Sequence, residues 1–461
     1  MREKFDIIFL GGGPAGYQGA IRAAQLGTRV AVVEEKSLGG VCLNNGCIPT
    51  KTVRASAEVG RVMRRAREFG FPRVETVPDM GAVIARKNRV VSALRGSIAG
   101  LFRANGIILV EAHGQLTDSH IIELERDGQI IQFEAEKIVI TTGSRPAEIP
   151  VFPKHPRIFP SDDLLNLTYL PRQLLVVGGG AVGIELAAIF QELGSQVAIV
   201  EAKERLLSSE DMEMSEYLEK ILRRRKVNVI CSLLVEQVIE DDDHFLVRLS
   251  DGTNLMPDTI VIAAGRLFNT RNLGLEKTGV ILERERIVVD KCMRTNIPGI
   301  YAAGDVTGNW LLAHVAFAEG ICAAEHAIGL GSEMDYRVVP RCVFTLPEYA
   351  AVGISEAEAE KEKQIKVARF PFKSLGIGLA MGEFEGFIKI IADAGTDRIL
   401  GAHVIGPHAS ELVAEIAIAM RANLPSKAIM DTIHTHPSLS EGVLEVAQAL
   451  HGQAIHSGVV Q

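Results

Sequence analysis

Two cysteines with four residues between them, Cys42 and Cys47 in LGGVCLNNGCIPTK (residues 38–51), are the side chains in this sequence best placed to do chemistry. A bridge across so short a loop removes little entropy from the unfolded chain and stabilises the fold only modestly. Closure within a turn or two of backbone also favours a strained, reducible bond. No second Cys or His pair lies nearby at the spacing a zinc site needs. The pair therefore points to redox chemistry, with two inert thiols as the plainer alternative. Cys231, Cys292, Cys322 and Cys342 stand singly in apolar surroundings and are expected to be buried small hydrophobes. Thiol–disulfide exchange runs through a thiolate, so a base must take the proton of an incoming thiol. THPSLSE (residues 435–441) offers His436, with Glu441 to orient its ring. His434 is an equal candidate by composition, and a His-Pro dipeptide is often only a turn.

A second set of residues is built for nucleotides. Residues 5–34 and 173–201 align at a constant offset of 167, so Gly11, Gly13 and Gly16 fall on Gly178, Gly180 and Gly183, and Glu34 falls on Glu201. Each copy reads as strand, glycine turn, amphipathic helix and second strand, a βαβ unit. The first glycine permits the tight turn, the second lets backbone approach a pyrophosphate, and the third lets helix pack on strand. The acid 18 positions after the last glycine suits a ribose diol. One such fingerprint is weak evidence; two complete copies imply two dinucleotides. A carboxylate at Glu201 repels a 2′-phosphate, which favours NAD over NADP.

These residues need a scaffold, and length and composition allow one. At 461 residues the chain is long enough for about three domains. Hydrophobic residues make up 47% and charged ones 23%, typical of large packed cores. A net charge of −8 argues against nucleic acid as a partner. Two basic runs, residues 61–67 and 223–226, read as solvated helix faces, with docking of an acidic partner as the minority reading. No apolar run approaches the roughly 18 residues of a membrane helix. Residues 5–10 run straight into Gly11, Gly12 and Gly13, which makes them a strand rather than a signal peptide and the expected location cytoplasmic. Three further apolar strands end in glycine: residues 137–143, 259–265 and 299–305. The fold class expected is α/β, with two Rossmann-like domains, one inserted in the other, and a C-terminal α+β dimerisation domain. The divisions are 1–143 for the first part of one nucleotide domain, 144–265 for the other, 266–336 for the return to the first, and 337–461 for the last. A helix over residues 411–420 is a candidate dimer surface or, equally, domain core.

GGVCLNNGCIPTK (39–51), GIYAAGD (299–305) and HPSLSE (436–441) together resemble the pyridine nucleotide–disulfide oxidoreductases over essentially the whole chain, nearest their dihydrolipoamide dehydrogenase branch. That resemblance implies an FAD-containing homodimer oxidising dihydrolipoyl groups with NAD⁺. The groups would be carried on lipoyl domains of 2-oxo acid dehydrogenase complexes or of the glycine cleavage system, and no lipoyl-like domain is expected ahead of Met1. It also implies that Cys42 exchanges with lipoyl sulfur, that Cys47 faces the flavin, and that His436, oriented by Glu441, is the base acting on the partner subunit's disulfide. For FAD it implies Glu34 at the ribose, Asp305 at the ribityl chain, and Lys51 near the flavin, paired with Glu185. Further FAD contacts would be Gly114, Thr142, Gly143, Ser144, and Leu311, Leu312, Ala313 and His314, although a plain helix start also explains the last four. For NAD it implies Glu201, Val235 and Gly265. The chain departs from the family in two places. One residue is missing between the ribose acid and LGG, so the choice of Glu34 over Glu35 rests on the internal repeat. Asn45 also stands where a small apolar residue is usual. Rival readings are a glutathione- or mercuric-type reductase and a non-catalytic, redox-sensing flavoprotein. Against the reductases stand Val200, Glu201 and Ala202 where arginines are expected, and a tail without cysteines.

Overall fold

The computed structural model describes residues 3–74, 77–126 and 128–456. The glycine-punctuated apolar runs become the parallel strands of two separate sheets. In the first, Ile108–Glu111, Val30–Glu34, Glu3–Leu10, the second half of Gln129–Ile140 and Ile300–Ala302 lie side by side, all parallel. The first half of Gln129–Ile140 runs on into an antiparallel meander with Ile121–Arg126 and His113–Asp118. The second sheet has the order Asn228–Cys231, Gln196–Glu201, Gln173–Val177, Thr259–Ile262 and Ile158–Pro160, again all parallel. In both sheets the strand that precedes a glycine turn is central and its successor lies beside it. This is the switch point at which open α/β sheets bind ligands. The chain passes between the two sheets twice, and Ser144–Pro146 pairs antiparallel with Arg266–Phe268 where the crossings meet.

Helices Pro14–Gln25 and Ala181–Leu193 follow the two glycine turns. The first is in backbone contact with helix Ala313–Ala327: a Cβ on Gly320 would lie 2.1 Å from the Ala15 carbonyl oxygen. The C-terminal part is an antiparallel five-stranded sheet, Arg341–Val343, Glu348–Gly353, Ile399–Gly406, Phe387–Asp393 and Ile365–Pro371. Helix Ala409–Arg421 covers it with Leu412, Val413, Ile416 and Ala419 inward, so most of its apolar stripe is core, while Ile418 is exposed.

The basic runs are only in part solvated faces: Arg64, Arg67, Arg223, Arg224 and Lys226 stay exposed, but several of the cations are paired. Arg61 and Arg65 pair with Glu383 at 2.7 Å, and Arg64 with Glu192 at 2.5 Å. Arg225 reaches Glu192 and Glu385, and Arg224 also reaches Glu385. Both runs thus converge on acids of the same chain, and the convergence ties helix Cys47–Arg64 to the other two parts of the molecule. Two of the four single cysteines, Cys231 and Cys342, are only half-buried rather than core residues, because each lies on a short strand at the edge of its sheet. Among the described residues no helix is long and apolar enough to cross a membrane, and no cluster of three ligating side chains could hold a metal.

Candidate functional site

The two glycine turns adopt the same geometry. Gly11 and Gly178 have φ of 111° and 112°, a region closed to residues with a side chain. Any Cβ on Gly16 would sit 1.9 Å from the Gly11 carbonyl oxygen, and one on Gly183 would sit 2.0 Å from that of Gly178. These glycines are fixed by packing. Gly13 and Gly180 differ: their Cβ positions meet nothing closer than 3.8 Å and nothing within 4 Å respectively, so bare backbone borders open space at a helix N-terminus. That is the cradle a pyrophosphate needs. Glu34 Oε2 accepts from Gly12 N–H at 2.7 Å, and Glu201 Oε2 accepts from Gly179 N–H at 2.5 Å. Their other oxygens take Lys36 N–H and Lys203 N–H, both at 2.8 Å. Each acid therefore braces its own glycine loop and retains lone pairs for a ribose. Glu35 is exposed and faces His113, so Glu34 is the equivalent of Glu201. The bracing glycines Gly12 and Gly179 were missed from the sequence, although the repeat aligns them. Val235 opens strand Val235–Asp241 just beyond Leu233, whose N–H bonds the Glu201 carbonyl. Gly265, at φ 109°, ends the neighbouring crossing.

Cys42 lies in the short helix Gly40–Asn44, and Cys47 begins helix Cys47–Arg64. Both are free thiols, separated in the chain by four residues, and each is close enough to the other to set its ionisation. The contact with Cys47, then burial, push the Cys42 thiol far up, whereas the hydrogen bond from Cys42, helped by the Lys51 charge, brings Cys47 down to about 7. The Lys51 charge thus favours ionisation at Cys47, while burial and its neighbour oppose ionisation at Cys42. One helical turn on, Lys51 Nζ meets Glu185 Oε2 at 2.8 Å and lies 4.2 Å from the centre of the Phe344 ring. The other Glu185 oxygen accepts from Phe344 N–H at 2.8 Å. Across the site, Ser144 Oγ donates to Asp305 Oδ2 at 2.5 Å and accepts from Arg266 Nε at 2.7 Å. Burial raises the Asp305 carboxyl, opposed by that hydroxyl and by Arg266. Asp305 is also near enough to Cys42 to oppose its ionisation.

Thr142 and Gly143 are locked to Asn269, Thr142 Oγ1 donating to its carbonyl at 2.7 Å. The Gly143 Cβ position is open. Gly114 has no such space, since a Cβ there would lie 2.8 Å from Leu10, and strand packing alone explains it. Leu312 caps helix Ala313–Ala327; Leu311 is exposed, and His314 Nε2 is tied to the Pro340 carbonyl at 2.8 Å.

The two histidines that composition could not separate have different surroundings. His434 is buried, with Nε2 on Glu415 at 2.8 Å and Nδ1 on the Thr432 carbonyl. His436, held in the turn of a cis His436–Pro437 bond, exposes 80% of its side chain. Its Nδ1 bonds Glu441 Oε1 at 2.7 Å, and the other Glu441 oxygen accepts from Ser438 N–H at 2.8 Å. The Nε2 edge is free to meet another molecule. Within one chain this ring bonds Glu441 rather than the cysteine segment.

Two open glycine cradles, each with an acid at the next strand end, fit two dinucleotides, one of them beside a pair of free thiols. The chain matches the family model described as pyridine nucleotide-disulphide oxidoreductase over residues 5–320 and that family's dimerisation domain over residues 339–447. It belongs to this family. It is 40% identical to the dihydrolipoyl dehydrogenase of Chlamydia muridarum over 447 residues, 96% of each chain. It is 36% identical to that of Bacillus subtilis, covering 99% of this chain and all of the relative. Among solved structures, LpdA of Mycobacterium tuberculosis superposes with a TM-score of 0.91 at 32% identity, covering 97% of this chain and 99% of that one. The HOCl-induced flavoprotein disulfide reductase RclA of Escherichia coli gives 0.89 at 31% identity, with the same coverage.

Proposed function

We propose that this protein is a dihydrolipoyl dehydrogenase: it oxidises the dithiol of a protein-bound dihydrolipoyl group to its disulfide and passes the electrons to NAD⁺. The observation that carries the reading is a pair of free thiols on two consecutive helices, with the Lys51 ammonium, held by Glu185 at 2.8 Å, one helical turn beyond Cys47. In the oxidised enzyme Cys42 and Cys47 are bridged. His436, from a second copy of the chain, takes the proton of one dihydrolipoyl thiol, and Glu441 stabilises the imidazolium that forms. The lipoyl thiolate attacks Cys42 Sγ, and the bridge breaks with Cys47 leaving as thiolate, the sulfur better suited to depart. The second lipoyl thiol attacks the mixed disulfide, closing the lipoyl ring and returning Cys42 as a thiol. Two electrons now reside on the pair.

FAD, when bound, supplies the two-electron carrier between this pair and the nicotinamide. Glu34, Gly13, Ser144 and Asp305 would hold it, and Gly180 and Glu201 would hold NAD. The Lys51–Glu185 pair fixes an ammonium next to the Cys47 thiolate. The working form is a homodimer of the cytoplasm, serving lipoyl domains of a 2-oxo acid dehydrogenase complex or of the glycine cleavage system. The test is NADH formation from NAD⁺ with dihydrolipoamide, run beside glutathione and NADP⁺. Turnover with the first pair and little with the others is expected; a preference for glutathione or NADP⁺ would refute the reading.

A further inference from the structure

We infer that Asn45 is a positioning residue for the reactive pair, tying the segment between the two thiols to the second nucleotide sheet through the Asp162 carbonyl. The inference rests on thiol exchange at Cys42–Cys47, the reading given above. Its neighbour Asn44 spends its amide locally, donating to the Gly40 and Leu38 carbonyls at 2.8 and 3.2 Å. The Asn45 amide instead leaves the loop and donates to Asp162 O at 3.3 Å, a partner 117 residues away. Asp162 has a fixed position. It follows strand Ile158–Pro160 of the second nucleotide sheet, and Ser161 N–H bonds the carbonyl of Ile262 on the adjacent strand at 3.0 Å.

From Asp162 the polar chain continues. Its Oδ1 accepts from Arg266 Nη1 at 3.2 Å, Arg266 Nε donates to Ser144 Oγ, and Ser144 Oγ donates to Asp305 Oδ2. Asp305 in turn is close enough to Cys42 to oppose its ionisation. A run of side chains therefore starts between the two sulfurs, passes along the carboxyl edge of the second nucleotide fold and returns to one of the sulfurs. The Asn45 bond is present in the dithiol form, with both sulfurs free. A contact made in that form favours it over the bridged form by whatever part of the bond closure of the bridge removes.

The test uses the holoenzyme with Asn45→Leu, which keeps the shape without the donor, and Asn45→Ser, which is too short to reach. Each is equilibrated with mixtures of reduced and oxidised dithiothreitol. One dithiothreitol gives two electrons and two protons to the Cys42–Cys47 bridge and closes to its own cyclic disulfide. The dithiol fraction is read by alkylation and mass spectrometry of both cysteines. Loss of one neutral amide–carbonyl bond is expected to shift the equilibrium toward the bridged form in both variants, by up to about fivefold. An unchanged constant in both, even with a lower unfolding temperature, overturns the inference and shows Asn45 to be merely structural. Wild-type protein that forms no Cys42–Cys47 bridge at any ratio would overturn the functional reading itself.

Discussion

Replacing Glu441 by Gln tests the base in isolation. The substitution keeps the shape and one acceptor but removes the charge that faces His436 Nδ1 at 2.7 Å. Hydrogen bonds to a charged group contribute about 1.5–3 kcal/mol and neutral ones about 0.5–1.5 kcal/mol, so the charge accounts for roughly 1–2 kcal/mol of imidazolium stabilisation. His436 exposes 80% of its side chain and Glu441 23%, and solvent screening brings this toward about 1 kcal/mol. If proton removal from the incoming thiol limits the rate, that is about a fivefold loss in kcat/KM for dihydrolipoamide. The assay pairs this rate with NADH oxidation by ferricyanide, which bypasses the thiols. A selective loss in the first is expected, with the second unchanged. His434→Gln, at a buried ring on Glu415, should lower stability without changing the ratio of the two rates. Wild-type kcat/KM for dihydrolipoamide in Glu441→Gln would refute the pairing of His436 and Glu441 as a catalytic unit.

Gly180→Val should fold, because its φ is −80° and its Cβ position is open, yet raise the KM for NAD⁺ tenfold or more; an unchanged KM would remove the cradle from the nucleotide site. Gly183→Val should give no soluble protein, since its Cβ would lie 2.0 Å from a carbonyl oxygen. In the reduced enzyme, alkylation of Cys47 should rise through a midpoint near pH 7, and Lys51→Met should move that midpoint upward; a wild-type midpoint near 9 would contradict the thiolate assignment. Glu319 is fully buried, accepting from Gly304 N–H and the Tyr336 hydroxyl, and burial raises its carboxyl to about 7. The folded state therefore favours its protonated form. That stability is fully present below the ordinary carboxylate value and is lost as pH rises through about 7, at a cost on the order of 3 kcal/mol. Glu319→Gln should raise the unfolding temperature at pH 8 more than at pH 6, and equal shifts at the two pH values would contradict this.

What could be read from the sequence was what local backbone geometry demands. Gly11, Gly16, Gly178 and Gly183 have no alternative residue, and the repetition of that demand at a fixed offset exposed both nucleotide folds and singled out Glu34 over Glu35. The cysteine pair was legible because both thiols sit within one short segment. What was not legible depends on partners distant in the chain. Arg61, Arg64 and Arg65 look like a solvated helix face until Glu192 and Glu383, 128 to 322 residues on, are brought against them. Lys389 lies in the alternation FIKII where a lysine should point outward. Instead it is 1% exposed, held by Asp211, Glu213 and Glu356 from two other elements. The choice between His434 and His436 turns on which ring the Pro437 turn leaves open, and composition carries no trace of that.

The claim on which the rest depends is that electrons move between a nicotinamide and the Cys42–Cys47 pair. Its most direct test is anaerobic addition of one equivalent of NADH per chain to the oxidised holoenzyme, followed by alkylation and mass spectrometry of all six cysteines. The account predicts two new thiols per chain, at Cys42 and Cys47, with Cys231, Cys292, Cys322 and Cys342 labelled as before. NADH consumption that leaves the labelling of Cys42 and Cys47 unchanged would contradict it.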